Sequence, residues 1–241
     1  MRITAAAATI LFTVGGAALA ADLPPPVPPP YAPPPKWAGF YLGANVGGAV
    51  GVSQNSYSLL GGPAFASINN ALAGPLGGGQ IGYNWQFWRI VYGLEADFQG
   101  SSVRGSIASP CLPALCGLPL SASYSQDLSS FGTVRGRVGF TAGGWLLYAT
   151  GGYAYGRLDT NASAVAGAAT AALTAHDNMN GWTIGSGIEL DLTPHWSVKA
   201  EYLYVDLGRA NHTWVFPGVA TVIDSSHVSQ NVIRVGANYR F

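Results

Sequence analysis

The last thirteen residues limit the fold of this chain more than any others. Along Ser229 to Phe241, the positions Ile233, Val235, Ala237, Tyr239 and Phe241 alternate with Arg234, Gly236, Asn238 and Arg240. Residues two apart on a strand share a face, so one face is greasy and the other carries cations and an amide. A strand half-buried in a soluble core would read the same way, so one such segment decides little.

Seven further segments repeat the pattern. Phe40, Leu42, Ala44 and Val46 alternate with Tyr41, Gly43, Asn45 and Gly47, and Ile81, Tyr83, Trp85 and Phe87 with Gln80, Gly82, Asn84 and Gln86. Ile90 to Phe98 encloses Gly93, Glu95 and Asp97, and Val134 to Phe140 encloses Arg135 and Arg137. Ile184 to Leu192 encloses Glu189 and Asp191, and Trp196 to Tyr204 encloses Lys199 and Glu201. From Trp145 to Gly156 both faces are apolar or small, and the phase is ambiguous. Eight strands of about ten residues result, the length that crosses a bilayer when tilted.

The links between them alternate in length. Short turns fall at Trp88-Arg89, at Thr141 to Gly144 and at Thr193-Pro194-His195. Long links run over Ser53 to Pro75, Arg104 to Ser123, Leu158 to His176 and Leu207 to His227, all rich in Gly, Ala, Ser and Asn. Strict alternation places every short turn at one end of the sheet, as in membrane barrels with short periplasmic turns and long extracellular loops. Greek-key sandwiches have no reason to alternate this way.

Composition agrees. Only 9% of the 241 residues are charged, with 11 basic and 11 acidic groups, against about 25% charged in a soluble domain. A soluble enzyme surface would carry more charge, and nucleic-acid binding needs clustered Lys and Arg. Met1-Arg2, the apolar run Ile3 to Leu19 and the small-residue exit Ala18-Leu19-Ala20 read as a secretory signal cut after Ala20. Nine of the twelve residues from Pro24 to Pro35 are proline, which reads as a stiff polyproline II spacer. The division is therefore signal peptide 1–20, proline-rich periplasmic spacer 21–36 and barrel 37–241.

The polar face supplies the physical test. Glu95, Asp97, Glu189, Asp191 and Glu201 stand against Arg135, Arg137, Lys199, Arg234 and Arg240, five charges against five. In a confined interior such balance is required, because unpaired buried charge is costly. Closure also satisfies every backbone donor and acceptor, as hydrocarbon demands. The expectation is all-β: an eight-stranded antiparallel up-and-down transmembrane β-barrel with that ion network in its lumen. Aromatics fall in two girdles, with Trp37, Trp85, Trp88, Phe140, Trp145, Trp196 and Phe241 near the short turns and Tyr155, Trp182 and Tyr204 near the long links.

The opening Trp37-Ala38-Gly39-Phe40-Tyr41-Leu42-Gly43-Ala44-Asn45 after a proline-rich leader resembles the small outer-membrane β-barrel family of alphaproteobacteria, the outer-membrane immunogenic and opacity-type porin-like proteins of brucellae and rhizobia. Gly132-Thr133-Val134-Arg135-Gly136-Arg137-Val138-Gly139 resembles its mid-barrel signature, and Val235 to Phe241 resembles its end. The resemblance implies the cell outer membrane as location, outer-membrane lipid as a partner, and the C-terminal Phe241 as a signal to the barrel-assembly machinery.

Other chemistry is sparse. Cys111 and Cys116 lie in the second long link, where a disulfide closing the loop tip is the reading for an exported protein; a metal site would need further ligands and no His lies in that link. Gly77-Gly78-Gly79-Gln80-Ile81-Gly82 has dinucleotide-fingerprint spacing but leads into an alternating segment rather than a helix. His176, His195, His212 and His227 are scattered without metal-ligand spacing, and no nucleophile elbow or phosphate loop is present. No enzyme activity, cofactor, metal or nucleic-acid partner is expected, and the loops name no ligand. Eight strands leave a lumen that side chains just fill, so a structural, surface-exposed envelope role is the main reading. The alternatives are a narrow channel, for which the lumen glycines Gly43, Gly47, Gly82, Gly93, Gly185 and Gly236 speak, and a loop-mediated adhesin or receptor.

Overall fold

The computed structural model describes residues 36–109, 120–166, 169–216 and 220–241. Cys111, Cys116 and the leader through Pro35 lie outside the described residues. Eight strands follow in order: β1 (Gly39–Leu59), β2 (Ala64–Phe87), β3 (Ile90–Ser109), β4 (Leu120–Ala142), β5 (Trp145–Ala166), β6 (Ala169–Asp191), β7 (Trp196–Phe216) and β8 (Ala220–Arg240). Each pairs antiparallel with its neighbours in sequence. β8 returns to β1 from Tyr41↔Arg240 to Leu59↔Val222, so the sheet closes without an edge at this seam.

The turns at the β8 C-terminal end are Trp88-Arg89, Gly143-Gly144 and Leu192 to His195. Gly143 has φ +61°, the left-handed geometry that lets a two-residue turn follow the twist of its strands. Trp88 adopts φ 60° despite its side chain, a conformation costing roughly 1–2 kcal/mol for an L-residue.

The strands are about twice the expected length. The four long links are largely not irregular loops; they continue the ladders, for instance from Gly48↔Pro75 to Ser58↔Ala64 between β1 and β2 and from Leu158↔Asp177 to Ala166↔Ala169 between β5 and β6. The reason is a reversal of amphipathicity partway up each strand. On the lower half of β8, Arg234, Asn238 and Arg240 are buried while Ile233 and Val235 are exposed. Higher up, Val228 and Val232 are buried, and the outward positions are Asn231, Ser229 and His227. β7 reverses likewise: Lys199 and Glu201 point inward low on the strand, and Leu203, Val205 and Leu207 point inward above them. The lower half is built for lipid outside and polar groups inside, the upper half for water outside and an apolar core inside.

Lipid-facing side chains form the exposed apolar band: Leu42, Val46, Ile81, Leu94, Val134, Leu147, Ile184 and Val235 among them. Trp85, Trp88, Phe140, Trp145, Trp196 and Phe241 rim its lower border, and Trp182 and Tyr155 its upper border. The ambiguous segment resolves with Trp145, Leu147, Tyr153 and Tyr155 outward and Leu146, Tyr148 and Ala154 inward. At the upper border, tyrosine hydroxyls on the outer surface donate to neighbouring amides, Tyr202 to Asn231 at 2.7 Å and Tyr153 to Asn180 at 2.5 Å.

Tight barrel curvature is accommodated by glycine. Tyr41 lies over its cross-strand partner Gly82, Tyr148 over Gly187 and, on the outer surface, Tyr155 over Gly132. A Cβ on Gly187 would strike the Tyr148 ring end. The lumen glycines therefore do not open the interior: Gly43 is covered by Gln80 and Asn238, Gly47 by Arg234, Gly93 by Asn84, Gly185 by Leu203 and Gly236 by Asn45.

Two of the eight ladders end early. β6–β7 pairing stops at Trp182↔Asp206 and β2–β3 pairing at Ala73↔Arg104, whereas the other six continue to the hairpin ends. Above the membrane the cylinder thus divides into two four-stranded sheets, β7-β8-β1-β2 and β3-β4-β5-β6. Pro75, which has no N–H, sits in the break of the β2–β3 ladder. At the other seam, Gly208 takes φ +73° and donates its N–H to Asp206 Oδ1 at 2.8 Å, where β7 gains an extra residue relative to β8.

Two substitutions test this division. Val46→Arg, in the apolar band, is expected to cost about 2–4 kcal/mol of barrel stability, and Ser56→Arg, high on the same strand, close to nothing. Gly187→Val is expected to cost about 1–3 kcal/mol by overpacking against Tyr148. Urea unfolding in lipid vesicles, read by the electrophoretic shift of the folded barrel, measures all three.

Candidate functional site

The lumen is filled in three tiers. At the turn end, Trp37 is 1% exposed and packs with Val91, Leu146 and Tyr148. Its backbone N–H donates to Gln86 Oε1 at 2.9 Å, and the Arg240 guanidinium lies 4.5 Å from its ring centroid while pairing with Asp191. Sequence placed Trp37 in the lower girdle; it turns inward instead, just before β1, where the Arg240 guanidinium of β8 lies over its ring.

Above it lies the charged tier. Arg135 pairs with Glu95, with Asp97 at 3.0 Å and with Glu201 at 3.1 Å. Arg234 pairs with Glu201 at 2.5 Å and Asp97 at 2.9 Å. Lys199 reaches Glu95 at 3.0 Å, and Arg137 reaches Glu189 at 3.0 Å between the rings of Tyr148 and Tyr41, whose centroids are 4.7 and 5.2 Å away. The carboxylates also accept from hydroxyls and an amide: Tyr41 to Glu95 at 2.7 Å, Tyr148 to Glu201 at 3.0 Å, Thr133 to Asp97 Oδ2 at 2.8 Å, and Ser197 and Asn238 to Glu189 at 2.5 and 2.9 Å, while Asp97 Oδ1 has no hydrogen-bond partner.

Alternation and register explain part of this. Glu95↔Arg135 and Glu201↔Arg234 are direct cross-strand partners. Glu189 and Lys199 are also direct partners, yet Lys199 turns across the lumen to Glu95. Arg135 on β4 likewise reaches Glu201 on β7, and Arg234 on β8 reaches Asp97 on β3. Four cations and four carboxylates tie opposite walls together, and Arg240–Asp191 forms a separate pair below. All ten sequence-selected charges face the interior.

The third tier was not visible in the alternation. Leu72, Leu76, Val103, Leu128, Phe131, Leu158, Met179, Leu203, Val205, Leu207, Val228 and Val232 form one buried apolar cluster above the charges. The signal that could have found it is the reversal itself, because inward parity carried upward from Glu201 passes through Leu203, Val205 and Leu207. Higher still, buried polar groups bridge the walls: Ser226 donates to Asn55 Oδ1 at 2.6 Å and Tyr124 to the same atom at 3.3 Å.

Among the described residues no group of three or more His, Cys, Asp or Glu side chains is arranged to hold a metal ion, and the lumen carboxylates are engaged by cations. On the outer surface of the upper strands, polar groups pair locally: Arg104 with Asp127 at 2.8 Å, His227 with Asp206 at 3.0 Å and His176 with Asp159 at 2.6 Å. Partial burial raises the Asp159 carboxyl, but hydrogen bonds from His176, Ser129 and Arg157 outweigh it and hold the group below its ordinary range.

This geometry defines a closed, eight-stranded membrane barrel with a balanced ionic interior. Residues 5–241 match the family described as "Outer membrane protein beta-barrel domain", and the chain belongs to that family. It is 38% identical over 212 residues to the 31 kDa outer-membrane immunogenic protein of Brucella melitensis, covering 85% of this chain and 84% of the relative. It is 29% identical over 219 residues to the 22 kDa outer membrane protein of Rhizobium leguminosarum bv. viciae, covering 85% and 78%. In fold it resembles the outer membrane protein OprG of Pseudomonas aeruginosa, with a TM-score of 0.56 at 15% identity over 85% of this chain and 96% of that one. The protein resides in the outer membrane.

Removing one member of the charged tier leaves its partners buried and uncompensated. Arg135→Leu is expected to cost about 3–5 kcal/mol, measured by unfolding in vesicles. A depressed carboxyl contributes stability above its unfolded value and loses it as pH falls through the folded one. Amide protection in the β5–β6 hairpin is therefore expected to hold at neutral pH and to drop as pH falls below about 4, the ordinary aspartate value. In Asp159→Asn that acid-linked step disappears from the hydrogen-exchange profile.

Proposed function

We propose that this protein is a non-catalytic structural barrel that anchors in the outer membrane and holds four stiff hairpins at the cell surface. The observation that carries the reading is the filled lumen: an aromatic tier, a charge-paired tier and an apolar tier lie in series. In this reading residues 1–20 direct export and are removed, and residues 21–36 act as a periplasmic spacer. Acyl chains cover the exposed apolar band, and Phe241, 77% exposed at the chain end, is read by the barrel-assembly machinery.

Planar-bilayer recording of the purified barrel tests the role. The expected outcome is electrical silence over hours. Discrete, reproducible conductance steps would replace this reading with a narrow channel. Hairpin deletions that keep the folded barrel and abolish attachment to host surfaces would assign an adhesin role instead.

A further inference from the structure

The β6–β7 ladder stops at Trp182↔Asp206, although β6 continues to Ala169 in pairing with β5 and β7 continues to Phe216 in pairing with β8. Two strand edges therefore stand side by side above the membrane without a shared ladder. The cause is local: the extra residue at the Asp206/Arg209 register shift and the left-handed Gly208 redirect β7. Just at Gly208 the strands are still close, since a Cβ there would lie 2.6 Å from the Asn180 carbonyl oxygen.

The edges are only lightly protected. Natural edge strands are blunted with Pro, Lys or inward charge. β6 from Ala169 to Asn180 contains neither Pro nor Lys and has Asp177 as its one charge on the inward parity, and β7 from Arg209 to Phe216 carries a single cation and ends in Thr213-Trp214-Val215-Phe216, a run of high strand propensity. The β2–β3 seam differs, since Pro75, which has no N–H, lies at its break.

We infer that the divided β6/β7 seam is a dimerisation surface, in which β6 of one copy pairs with β7 of a second copy and the reverse. Topology selects this occupant. β6 runs toward the membrane and β7 away from it, so a lone strand inserted between them would have to lie parallel to one, the weaker pairing. A second copy offers each edge an antiparallel partner. The bilayer holds both copies in one orientation, and a two-fold axis along the membrane normal keeps β6 antiparallel to β7 of the partner, giving a closed isologous interface. The new ladders continue the established one. Carrying its register upward, with the extra residue on β7, sets Asn178 against Asn211 and His176 against Thr213.

The test uses the full-length protein in lipid vesicles, with Cys111→Ser and Cys116→Ser as background. Asn178→Cys and Asn211→Cys chains are reconstituted separately and as a mixture, then oxidised. The expected result is a disulfide-linked dimer in the mixture and its loss when either chain is used alone. Asn178→Lys with Asn211→Lys, which sets like charges opposite each other, is expected to abolish the dimer seen by single-molecule photobleaching of the uncross-linked protein. Monomers by photobleaching, with both thiols reactive toward maleimide but no dimer in the mixture, overturn the inference. So does a chain carrying both cysteines that cross-links only within itself, which would mean the seam closes on its own copy.

Discussion

Hydrocarbon offers no hydrogen-bond partners, and the closed lower half of this protein follows from that constraint. A sheet in such a solvent must close, and eight strands close around a space so narrow that its contents are side chains. Whatever faces inward must then satisfy itself. The charged tier does so for most of its polar atoms, with cations and carboxylates drawn from five different strands, and the pairs Arg135–Glu201, Arg234–Asp97 and Lys199–Glu95 also fix the relative position of strands that are not neighbours. Arg135 is the hub, held by β3 on one side and β7 on the other. Buried ion pairs often add little net stability. Here their contribution is to position, because a one-residue slip of any of these five strands would turn its charge into lipid.

The lower half of the barrel was legible in the amino-acid sequence because its code has one sign. Ile233, Val235 and Ala237 outside against Arg234 and Asn238 inside is a pattern that only a lipid-exposed strand or a half-buried one produces, and eight copies joined by alternating links decide between them. The ten lumen charges could be named for the same reason. The upper half was not legible, because reversal of the code at the membrane border cancels periodicity over any window that spans it. Val228 and Val232 share a face with Arg234, and that mixture reads as a loop. Trp37 was misplaced for a different reason: no alternation governs a residue that precedes the first strand, and only the fold shows its indole buried under Arg240. Which carboxylate each cation chooses was equally out of reach, as Lys199 shows by passing over its cross-strand partner Glu189 for Glu95.

The three tiers divide labour among different forces. Arg240 on the Trp37 ring closes the turn end with a cation–π contact, the middle is held by charge pairs with hydroxyl support, and the top is a mainly apolar core in which Gln99 and Gln230 are also buried. Loss of one tier leaves two others in the path, so occlusion does not hang on a single residue.

The continuation of the ladders beyond the lipid changes what the surface end is mechanically. About eleven residues of β5 rise above Tyr155, roughly 25–35 Å of strand allowing for tilt, and they are braced by neighbours along almost their whole length. Such a projection behaves as a lever and not as a tether. A load applied to its tip is passed down hydrogen-bonded rungs into the part seated among acyl chains, so whatever grips the far end can tilt the entire cylinder in its bilayer.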